Sequence, residues 1–177
     1  MIDPTHLVFL DETGTNLGMT RRYARAEGQN RARGTAPKNP GENISVIGSL
    51  RWDGEITAMN FAGSLDGEAY YAYAKEILCP SLRPGDIVVM DNLRVHQNQR
   101  VRDLLEECGA QVWYLPPYSP HLNPIEECWS KLKTILRTIA ARTRDALDIG
   151  ISHALNEITP SDARGWFEHS GYIASPG

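Results

Sequence analysis

Apolar positions in this chain form short runs in the first half and helical stripes in the second. His6–Leu10 is an apolar run bounded by polar residues, the pattern of a buried strand, and Asp11 stands where the run ends. Ile44–Leu50 and Glu55–Phe61 read as two more strands, joined through Asp53-Gly54, a hairpin signal. Thr20–Ala26 is compatible with a further strand, and Glu27–Glu42, rich in Gly, Pro, Asn and Arg, reads as a long loop. A helix is predicted from Ser64 or Asp66 to about Leu78, with Tyr70, Tyr73, Ala74 and Ile77 at helical spacing. Pro80 and Pro84 are expected to end it.

Ile87–Met90 is continuously apolar, which suits a central strand covered on both faces, and Asp91 follows it directly. A helix from about Asn98 to Cys108 should close at Gly109, and Val112–Leu115 is the next strand. The proline-rich loop Pro116–Asn123 leads into the best-defined helix. Asn123 is its expected N-cap, and Ile125, Trp129, Leu132, Leu136 and Ile139 form one apolar stripe. Helices near Arg144–Ile158 and from Ser161 finish the chain. This order predicts an α/β fold: a mixed five-stranded sheet, three antiparallel strands then parallel ones, with helices on both faces.

A length of 177 residues fits one domain with a substantial core. No run approaches the roughly 18 apolar residues of a membrane span, and the N-terminus carries no secretory pattern. Cys79, Cys108 and Cys128 are far apart without CxxC spacing and are expected to be reduced thiols of a cytoplasmic protein. A net charge of −4 argues against a nucleic-acid partner until its distribution is read. Residues 20–38 carry Arg21, Arg22, Arg25, Arg31, Arg33 and Lys38 against Glu27 alone. Residues 131–144 carry Lys131, Lys133, Arg137, Arg142 and Arg144 with no acid. Either segment suits a solvated face, but local basic surface is also what phosphate contacts require.

Three acids occupy marked points: Asp11 after the first strand, Asp91 after the apolar run, and Glu126 in the first turn of the long helix. Strand ends and a helix start can converge, and hard cations such as Mg²⁺ prefer carboxylate oxygens. Two such ions are suited to phosphoryl transfer. Each acid also has an ordinary reading: a strand-end aspartate, a loop entry at Asp91-Asn92, or a capping-box glutamate three residues after Asn123. At about 100° per residue, Glu126 lies on the flank of the apolar stripe and Glu127 points away from it. Lys133, Arg137 and Arg144 project onto the same flank as Glu126, as a DNA track would.

The segments LDET (Leu10–Thr13), VMDNLRVH (Val89–His96) and LPPYSPHLNPIEECWSKLK (Leu115–Lys133) closely resemble catalytic domains of insertion-sequence transposases of the mariner superfamily. The 34 residues between Asp91 and Glu126 match the Asp-Asp-34-Glu spacing of that group, and WFEHSGY (Trp166–Tyr172) looks like the tail of its bacterial branch. The resemblance implies a ribonuclease H-like fold and metal-dependent cleavage at transposon ends, with the freed 3′-hydroxyl joined to target DNA. It implies Asp11, Asp91 and Glu126 as catalytic, metal-holding residues, with two Mg²⁺ (or Mn²⁺) ions and Asn92 and His96 in support. DNA and a second copy of the chain are the implied partners. The basic residues Arg21, Arg22, Arg31, Arg33, Lys133 and Arg137 are the expected DNA contacts. Residues 1–177 read as this catalytic domain alone, with the helix-turn-helix region of such transposases encoded separately or removed. A bacterial, cytoplasmic and nucleoid-associated setting is expected. Two rivals share the fold: a nuclease or resolvase that cuts without joining, and a decayed copy that only binds DNA. For Tyr114 and Tyr118, loop packing is expected ahead of base stacking.

Overall fold

The computed structural model describes residues 2–20, 38 and 41–175. Most of the Thr20–Ala26 segment and most of the arginine-rich loop after it lie outside the described residues.

Strand β1 (Leu7–Thr15) pairs antiparallel with β2 (Ile44–Arg51), which pairs antiparallel with β3 (Ile56–Ala62). On its other side β1 pairs in parallel with β4 (Ile87–Met90), and β4 with β5 (Gln111–Tyr114), giving the order β3-β2-β1-β4-β5. The five-stranded mixed sheet is the one expected. Gly54, at φ 87°, closes the β2–β3 hairpin as the Asp53-Gly54 pair predicted.

Strand alternation sorts the core into two layers. Leu7 and Phe9 of β1 face helices α4 (Ile125–Ile139), α5 (Arg144–Asn156) and α6 (Pro160–His169). Val8 and Leu10 face the opposite layer, built from α1 (Gly67–Tyr73), α2 (Cys79–Ser81) and α3 (Gln99–Glu107). A π-helical turn, Ala74–Leu78, links α1 to α2 and carries the helix past Pro80, later than its prolines suggested. No helix among the described residues is long and apolar enough to cross a membrane.

One glycine sets how closely α4 sits on the sheet. Gly48 of β2 pairs with Asp11 and faces α4. A Cβ there would lie 2.9 Å from Cη2 of Trp129 and 2.8 Å from the Thr57 carbonyl oxygen. The bare backbone leaves room for Trp129, which is almost fully buried. Glu126 lies one turn before that tryptophan, so the same contact seats it beside the sheet.

Three sequence expectations need correction. Asp11 does not end its strand: β1 continues to Thr15 as a ribbon with β2, beyond the reach of β4. The long helix begins at Ile125, and no side chain caps it. Cys79 and Cys108 are disulfide-bonded, with Cα atoms 6.0 Å apart, because α3 folds back against the end of the α1–α2 helix. Their separation of 29 residues hid this proximity, and Cys128 alone is a buried free thiol.

Candidate active site

The parallel pairing of β1 and β4 ends at Leu10 and Met90, so Asp11 and Asp91 emerge side by side. Strand alternation then sends Asp11 toward α4 and Glu12 to the other face. Asp11 is buried; its Oδ1 accepts the Glu12 amide at 2.8 Å and its Oδ2 accepts Nδ2 of Asn123 at 3.3 Å. The Asn123 side chain therefore braces Asp11 and does not cap α4. No capping box forms, which removes the ordinary reading of Glu126.

Asp91, Asn123 and Glu126 line one cleft of about 360 Å³, walled by the proline-rich loop Leu115–Pro120. Glu126 is exposed on it. Burial, then the charge of Glu126 and that of Asp91, raise the Asp11 pKa from 3.8 to about 8. Three carboxylates thus meet without enough positive charge among them. Oδ1 of Asn123 is also buried without a hydrogen-bond partner among the described residues. Both features suit a bound cation, which would relieve the repulsion and present polar groups to the orphaned oxygen.

His96 holds this cluster from the other layer. The buried ring touches carboxylates at both nitrogens: Nδ1 meets Oδ1 of Asp91 and Nε2 meets Oε2 of Glu12 at 2.8 Å. Burial pushes its pKa down, but the hydrogen bonds to Asp91 and Glu12 outweigh it and raise it from 6.5 to about 9. For Asp91 the balance runs the other way: burial raises its pKa, and the bond to His96 brings the net shift below the usual value. Asp11, Glu12 and His96 offer ligand atoms within 4.8 Å of one another. With both ring nitrogens engaged by acids, His96 acts as a donor to both sides, so the carboxylates are the better metal ligands.

Glu12 stands within the LDET segment, yet sequence reasoning gave it no role. The period-two alternation that put Asp11 on one face already placed its neighbour on the other. Asn92 is exposed beside the cleft and accepts Nε2 of Gln97 at 2.6 Å. Glu127 does turn away from the cleft, but toward α6, where its Oε1 lies 3.7 Å from Nε2 of His169.

The basic stripe is shorter than expected. Lys133 and Arg137 lie half-buried on α4, with no ion-pair partner among the described residues. Arg144 does not continue the stripe, because α4 stops at Ala140 (φ 53°) and α5 starts afresh under a Thr143 cap. Arg144 instead pairs with Asp148 at 2.9 Å, and Lys131 with Asp162. Arg21, Arg22, Arg31 and Arg33 lie outside the described residues. Tyr114 packs as anticipated, its hydroxyl donating to the His96 carbonyl at 3.2 Å, whereas Tyr118 stands fully exposed.

Comparison with known proteins agrees with this fold. A Mos1 transposase paired-end complex with its left transposon end superimposes with a TM-score of 0.71 at 16% identity, covering 93% of this chain and 52% of that one. A Mos1 mariner paired-end complex with Mn gives 0.69 at 17% identity, covering 92% and 52%. The Mos1 mariner catalytic domain alone gives 0.62 at 13% identity, covering 93% and 76%. The chain thus spans about half the length of the Mos1 chains in the complexes. These likenesses establish the ribonuclease H-like fold expected from the sequence. No curated protein matches the chain. The family model for the DDE superfamily endonucleases matches residues 6–148, and the chain belongs to that family.

Proposed function

We propose that this chain is the metal-dependent catalytic domain of a DNA transposase, which cuts at transposon ends and joins the 3′-hydroxyl to target DNA. The observation that carries the reading is the convergence of Asp91 and Glu126 on the buried Asp11, where burial and then their charges raise the Asp11 pKa. Membership of the endonuclease family and the likeness to transposase–DNA complexes support it. The three carboxylates would hold two divalent cations, Mg²⁺ or Mn²⁺. When bound, the cations would supply Lewis-acid activation of the attacking oxygen and charge stabilisation for the leaving one.

The chain's own residues do the positioning. Asn123 fixes the Asp11 carboxylate, and Glu12 fixes Asp91 through the His96 ring. Packing of Trp129 over Gly48 sets the height of Glu126. Lys133 and Arg137, unpaired among the described residues, offer positive charge along α4 for the phosphate backbone. Phosphate contacts position a duplex without reading it, so recognition of the ends is assigned to a helix-turn-helix unit outside this fold. Pairing of two ends calls for a homodimer.

Nicking of supercoiled plasmid in Mg²⁺ or Mn²⁺ tests the assignment. Loss of a ligand worth several kcal/mol of charge stabilisation should slow Asp91→Ala by about a thousandfold. Equal activity in wild type and variant, or activity that survives a chelator, would falsify it. Joining of pre-cut 3′ ends to plasmid separates a transposase from a nuclease that only cuts.

A further inference from the structure

Among the described residues, two non-glycine positions adopt a left-handed backbone, and only one has an evident local reason. Ala140 terminates α4. Tyr118, at φ 55°, ends no helix, and its ring is wholly in solvent. A side chain with a Cβ resists this conformation, and an aromatic ring in water forgoes the burial that normally stabilises it. Strain of this kind tends to gather where a ligand is gripped.

We propose that Tyr118 is a stacking platform for an unpaired nucleobase of the DNA strand whose phosphate lies at the carboxylates; this rests on the reading above. Tyr118 lines the same cleft as Asp91 and Glu126. Besides the acids, much of the cleft lining is apolar: Leu115, Pro116 and Pro117 line it, with Leu93, itself half exposed. A site for phosphate alone would need only cations and polar donors. An apolar wall beside a phosphate-directed cluster fits a nucleotide, with the base against the wall. The hydroxyl and ring of Tyr118 make no hydrogen bond or ring contact with the described residues, so its face is free. Base–aromatic stacking tolerates any sequence, as each base has a π-face. A base inside a duplex keeps its faces against its neighbours, so the platform selects one that has left the stack.

The test uses a forked DNA duplex with 2-aminopurine as the unpaired base at the fork and a fully paired duplex of the same length. Ca²⁺ replaces Mg²⁺ so that the DNA stays intact. Stacking on the wild-type protein should quench 2-aminopurine. Tyr118→Ala should lose the quenching and bind the fork roughly tenfold more weakly, while paired-duplex affinity is unchanged. Tyr118→Trp should retain both. Tyr118→Gly, whose backbone suits a positive φ, should lose fork binding with a melting temperature at or above wild type, so the loss is not unfolding. Wild-type quenching and affinity in Tyr118→Ala, or an equal loss on paired duplex, would overturn the proposal. If wild type also fails to nick plasmid with Mg²⁺, the transposase reading itself is at fault; if it nicks normally, only the platform falls.

Discussion

The two ends of the sheet treat buried acid in opposite ways. At one end, Asp86 precedes β4 and meets Arg51 at the end of β2, both almost fully buried. Arg51 donates to both Asp86 oxygens and to the Ser81 carbonyl, and the Arg83 amide donates to Asp86 as well. Each charge has its counterpart and the lone pairs are used. At the other end Asp11, Asp91 and Glu126 meet around one bracing amide, with a single histidine shared between Asp91 and Glu12. The first arrangement is what a fold does with buried charge when stability is the only demand. The second leaves repulsion in place, as sites that await a cation do.

The sharpest way to break this contrast is to remove one acid from each end. Asp86→Ala leaves the buried Arg51 with only a 3.7 Å approach to the part-exposed Glu55, and should lower unfolding free energy by about 3 kcal/mol in urea titration. Asp11→Asn removes the cost of keeping that carboxyl protonated in the fold, and should raise the metal-free melting temperature at neutral pH while abolishing plasmid nicking in Mg²⁺. Destabilisation by both would mean that the two ends are alike.

A smaller effect comes with pH. Asp11 holds its proton to about pH 8 in the folded chain, against 3.8 ordinarily, so its stabilising protonation is lost as pH rises through that range. His96, raised from 6.5 to about 9, stabilises the fold fully below 6.5 and loses that contribution through 9. Both act in the same direction. Metal-free melting temperature should therefore fall from about pH 4 to pH 9, most steeply between 6.5 and 8 where the windows overlap. Mg²⁺ should flatten the curve near pH 8 by taking the place of the proton on Asp11. A curve that is flat without metal would show that the acids do not interact.

The smallest change expected is in DNA affinity. Reversing Lys133 and Arg137 to Glu should weaken binding and reduce the salt slope by about two, one per lost phosphate contact. The same change at Lys131, already paired with Asp162, should leave the slope as it was. Equal effects at paired and unpaired cations would remove the α4 track.

Much of the fold was legible because it follows from period and punctuation: the apolar run before Asp91, the Asp-Gly hairpin, the stripe of α4. The expected acids were legible because each sits beside such a marker. What stayed hidden depends on contacts distant in sequence or on backbone angle. A separation of 84 positions between Glu12 and His96 conceals their bond, as a separation of 29 between Cys79 and Cys108 conceals theirs. The left-handed turn at Ala140, which cuts Arg144 off from the basic stripe, has no glycine to announce it. Asn123 stood in a capping position by sequence and was drawn instead to Asp11, because a buried carboxylate needs a donor.

Gly48 makes the placement of Glu126 depend on something that is missing. The gap between helix and sheet is one backbone thick there, and its width fixes how near the third acid comes to the first. A single methyl group on a strand with no part in the chemistry would act as a shim under α4, detuning the site while all its acids remained in place. Drift in this domain therefore has a route to inactivity that an inventory of its acids would not reveal.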